Sequence, residues 1–99
     1  MRSIRHVDKI EAMTVAAALL EQLRALPFEQ IAQRLESRQE THEVAGPSGT
    51  LYQVEAQAFR DSKAGNMRVM VSVDDGGRRA FAPVSDDFII APDGSFVGE

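Results

Sequence analysis

Ninety-nine residues bound the chain to one domain, and an apolar content of 43% leaves that domain little core to spare. The net charge of −4 falls wholly in residues 41–99, where nine acidic groups meet five basic ones, a bias opposite to that of a phosphate-binding surface. With no cysteine, the chain excludes disulfides, thiolate nucleophiles and cysteine-based zinc sites together.

The basic start, MRSIRHVDK, runs into Glu11 instead of an unbroken apolar stretch, so it does not read as a signal peptide. The longest apolar run, VAAALL, is far short of a membrane span, and the expected compartment is the cytoplasm. Residues 8–25 read as the first helix. Met13, Ala16, Leu20 and Leu23 form its apolar stripe, widened by Ala17 and Leu19, and Asp8 stands where an N-cap would. Leu26 precedes a proline, which disfavours helical angles and breaks the helix there.

Pro27 suits the first position of a second helix over residues 27–39. Phe28, Ile31, Ala32 and Leu35 follow at i, i+3, i+4 and i+7, one amphipathic face. The stretch LPFEQIAQRLES looks like the opening of a helix-turn-helix. However, no apolar residue lies between Leu35 and Val44 to anchor a recognition helix, so it reads as a packing helix.

Beyond residue 41 the apolar period shifts from helical to alternating. Strands are expected at about 41–45, 50–60, 67–73, 78–83, 88–91 and 95–98, the last three shaped by the DDGG turn, by Pro83 and by the PDG turn at 92–94. Helices at one end and strands at the other give an α+β class: two helices broken at Pro27, packed on an antiparallel meander of four or five strands, within a single domain over 1–99. Phe28, Ile31, Leu35, Tyr52, Val54, Val69, Val71, Phe81 and Phe88 make the expected core.

The chemical motifs fall short one by one. GPSGT lacks the second glycine of a serine-nucleophile elbow and precedes a strand, so a tight turn is expected. Setting Gly94 sixth in a calcium loop makes Ile89 first and runs the loop past Glu99, and setting Gly76 sixth makes Val71 first, so Asp74 and Asp75 read as turn formers. His6 and His42 have no partners at zinc-ligand spacing. Asp86 and Asp87 are neighbours on an extended chain, so they point to opposite sides and do not form an acid–base pair. No catalytic residue, metal or cofactor is therefore expected.

Two clusters remain. Arg68, Arg78 and Arg79 could hold a carboxylate or phosphate, although pairing with Asp74, Asp75, Asp86 or Asp87 is the plainer account. Met70 and Ile89 interrupt the alternation on the side opposite Val69, Val71, Phe88 and Ile90, so both sheet faces need cover. Two helices cover one face. The other is covered by the C-terminal strands folding over it or by association.

The sequence thus points to a non-catalytic interaction or regulatory module that self-associates as a homodimer or binds another protein. Met70, Ile89, Phe96 and Val97 are its candidate contacts. A small anionic-ligand binder or enzyme using the arginines, with Tyr52 or an aspartate nearby, is the alternative. The acidic balance argues against nucleic acid.

Overall fold

A computed structural model describes residues 2–61, 64–74 and 84–99, with side chains from Lys9 onward. Helix α1 spans Arg2–Arg24. It starts ahead of Asp8, which lies inside the helix and not at its first position; no proline or glycine before Pro27 interrupts a helix, so a cap-like residue is not enough to begin one. The last turn closes with Leu26 N–H donating to the Leu23 carbonyl at 3.0 Å. Pro27 is extended (ψ 155°) and serves as the residue before α2, not its first turn; its carbonyl accepts from the Gln30 and Ile31 amides at 3.0 and 3.1 Å.

Helix α2 begins as Phe28–Ile31 and continues as a π-helical turn, Ala32–Glu36, so it ends short of residue 39. Four strands follow: β1 Glu40–Ala45, β2 Leu51–Arg60, β3 Met67–Asp74 and β4 Val84–Ile90. They form one antiparallel sheet in the order β1-β2-β3-β4. The α+β arrangement of two N-terminal helices on an antiparallel meander is thus the observed fold. The expected strand at 78–83, the turn before it, Phe81, Pro83, Arg78 and Arg79 lie outside the described residues. β4 begins at Val84, ahead of the expected residue 88.

The expected strand at 95–98 is not one. After Ala91 the chain turns, with Gly94 at φ 93° donating its N–H to the Ala91 carbonyl at 2.8 Å. Its backbone meets β4, among the described residues, at a bridge between Ile90 and Phe96 and a bond from Val97 N–H to the Ile89 carbonyl at 2.8 Å.

α1 packs on β3 and β4, and α2 on β2. Both helices therefore cover the same face. Its core joins Ala12, Ala16, Leu20 and Leu23 of α1 to Phe28, Ile31, Ala32 and Leu35 of α2. The strands add Tyr52, Val54, Ala56, Ala58, Met67, Val69, Val71, Val73, Phe88 and Ile90. Burying each large side chain contributes about 1.5–3 kcal/mol before chain entropy is set against it. Ala16, Leu20 and Leu23 of the expected stripe on α1 are buried, but its first member is not: Ala12 is fully buried in its place, while Met13 is 53% exposed. Small side chains at 12 and 16 let the helix backbone approach the sheet, and the longer Met13 is left outside.

Candidate functional site

Strand register arranges the face opposite the helices in rows. Phe59, Arg68 and Ile89 form the first, and Gln57, Met70 and Asp87 the second. Thr41, Glu55, Ser72 and Ser85 make the third; Glu43, Gln53 and Asp74 make the fourth. The first two rows hold the apolar side chains Phe59, Met70 and Ile89 beside Arg68, Gln57 and Asp87, whereas the next two carry carboxylates and no apolar side chain. Alternation along each strand causes this, because β2 and β3 place Phe59 and Met70 out of phase with the core set.

The C-terminal turn brings Val97 to the apolar end. A depression of about 630 Å³ there is lined by Phe59, Arg68, Met70, Ile89 and Val97, with Asn66 at its side. Phe59 is 51% exposed and Val97 40%. Met70, Ile89 and Val97, singled out in the sequence, are thus brought together.

Phe96 is not with them. It is half-buried on the helix side, edge-on to Phe88 with ring centroids 5.6 Å apart. The Arg24 guanidinium lies 4.2 Å from its centroid and is held there by Glu99, at 2.7 and 2.6 Å. Adjacent residues on an extended segment face opposite ways, so Phe96 and Val97 could not both line one surface. Arg68 stands on the open face, where Asp87 sits 3.3 Å from its Nε. The expected arginine trio therefore reduces, among the described residues, to one guanidinium already paired with a carboxylate. Asp86 and Asp87 do point to opposite faces, as their spacing requires.

Two polar clusters escaped sequence reading, the first because its members are far apart in the chain and the second because it forms only where the chain turns from α2 into β1. The GPSG turn receives Glu11 of α1. The Ser48 amide and hydroxyl donate to its carboxylate at 2.8 and 2.7 Å, and the Tyr52 hydroxyl donates at 2.7 Å. These bonds, Tyr52 first and Ser48 next, hold Glu11 below its ordinary carboxylate range. Gly46 is buried beside it, with no room for a Cβ: such an atom would lie 2.6 Å from the Glu11 carboxyl carbon.

In the second cluster, Arg34 grips Glu40 with Nε and Nη2 at 2.6 and 3.0 Å, and His42 Nε2 lies 2.9 Å from the same carboxylate. Arg34 first, then His42, lowers the Glu40 pKa.

A carboxylate held ionised by two hydroxyls is a weak base toward Ser48. No group of three or more metal-ligating side chains converges among the described residues. None of the described helices is long and apolar enough to cross a membrane. Comparison with family models, curated proteins and solved structures finds no match.

Proposed function

We propose that this protein is a small non-catalytic interaction module of the cytoplasm that pairs with a second copy of itself through the apolar end of its open sheet face. The observation that carries this reading is the grouping of Phe59, Met70, Ile89 and Val97 on the face that neither helix covers. Contact confined to that end keeps Glu43, Glu55 and Asp74 of the other rows outside it, and Asp87 within it is paired with Arg68 of its own copy, which limits like-charge cost. An anion site at Arg68 has less support, since Asp87 already occupies its guanidinium.

Light scattering across micromolar concentrations tests the reading. The expected mass is twice 10.9 kDa, falling to 10.9 kDa in Ile89→Lys with the circular dichroism spectrum unchanged. A wild-type chain that stays monomeric into the millimolar range overturns it.

A further inference from the structure

The two edges of the sheet are unlike. The outer edge of β4 is engaged near its end by Phe96 and Val97. β1 pairs with β2 on one side, and among the described residues no strand pairs with its other side. An unpaired edge offers the N–H and C=O groups of alternate residues to any extended chain.

β1 is also poorly covered from above. α1 lies over β3 and β4 and α2 over β2, so the helix-facing side chains of β1 (Glu40, His42 and Val44) are only half-buried. The space left between α1 and β1 is a groove of about 410 Å³. Val15, Ala18 and Leu19 form one wall, and Val44 and Val54 the floor. Arg34 at its mouth is neutralised by Glu40. An added strand would drop every second side chain into this apolar groove, and its other side chains would emerge on the open face.

On that face the added strand would meet Thr41 and Glu43, with Glu55 beside Thr41 in the next strand. Glu43 is exposed and accepts a hydrogen bond from the Gln53 amide at 3.2 Å. The charge there is negative and calls for cations at the alternate positions. A second copy does not meet that need: its own β1 carries two glutamates and no lysine or arginine.

We infer that the outer edge of β1 accepts an extended peptide of alternating aliphatic and basic residues as an added strand, its aliphatic side chains entering the groove beneath α1. Main-chain pairing supplies affinity, and the alternation supplies specificity. This site is separate from the apolar end of the open face and does not require dimer formation there.

The test uses fluorescence anisotropy with a dye-labelled eight-residue peptide alternating lysine and valine. Saturable binding is expected, at least about tenfold tighter than for a glutamate–valine version. N-methylation of the amides along one edge of the peptide should abolish binding, while N-methylation along the other edge leaves it intact.

Ala18→Lys, an exposed substitution that fills the groove, should weaken binding about tenfold with unchanged circular dichroism. Glu43→Lys should reverse the preference between the lysine and glutamate peptides. Absence of saturation at millimolar peptide overturns the inference. So does a lysine preference that survives Glu43→Lys, which would mark unspecific attraction to an acidic protein. Indifference to which edge is methylated also overturns it. If Ala18→Lys halves the mass of a wild-type dimer, a second copy occupies the edge and the peptide reading falls.

Discussion

The carboxylate of Glu11 couples the middle of α1 to the β1–β2 turn, and Gly46 is the residue that makes room for it. A methyl group at 46 forces Glu11 aside. The glutamate side chain is flexible enough to move, but only by giving up Ser48 and Tyr52. Gly46→Ala and Glu11→Ala should therefore each cost about 1 kcal/mol, the low end for bonds to a charged group because this one lies near the surface. Their effects should not add: the double variant should be about as stable as either single one in urea denaturation.

The same carboxylate sets an acid limit. Its folded-state pKa lies below the ordinary range, so its contribution is present above that range and is lost as pH falls through it. Glu40, lowered by Arg34 and His42, behaves alike. Glu11→Gln should flatten the decline of stability on the acid side, measured as urea midpoint against pH. An unchanged slope would show that Glu11 does not contribute to it.

At the scale of elements, the strands were more legible than the helix faces. A period of two leaves only two choices of face, and Tyr52, Val54, Val69 and Val71 settled the choice for β2 and β3. A helix offers a continuum of rotations. Around residues 12–20 of α1, alanine and larger apolar residues occur on most sides, so size drew the eye to Met13 while packing selected Ala12 alongside the expected Ala16. Close helix–sheet approach favours the smaller residues.

Met13→Lys should accordingly change stability by less than about 0.5 kcal/mol, whereas Ala16→Leu should cost about 1–3 kcal/mol by overpacking. Thermal unfolding of Met13→Lys distinguishes the observed stripe from the expected one, and Ala16→Leu tests the close helix–sheet approach at a position common to both. Phe96 was misjudged for a related reason. Near the PDG turn the chain has too few residues to show a period, and only the Arg24 and Phe88 contacts fix which way it faces.

For the whole molecule, the one-sided helical cover was readable because two helices suffice for one face only, and Met70 and Ile89 marked the apolar end of the other. The groove beside β1 was not, since it depends on where the helices lie across the strands, and no periodicity encodes that. The sheet itself is a meander in which each strand pairs with its neighbour in sequence, whereas α1 reaches β3 and β4 across most of the chain.

This connectivity bears on the order of assembly. Hairpins close short loops at small entropic cost, and seating the N-terminal helix closes the longest loop. The meander should consequently gather first, and α1 should settle on it after the rate-limiting step. Leu23→Ala should then accelerate unfolding in stopped-flow experiments while the refolding limb stays nearly unmoved. Equal slowing of refolding would place the helix in the nucleus instead.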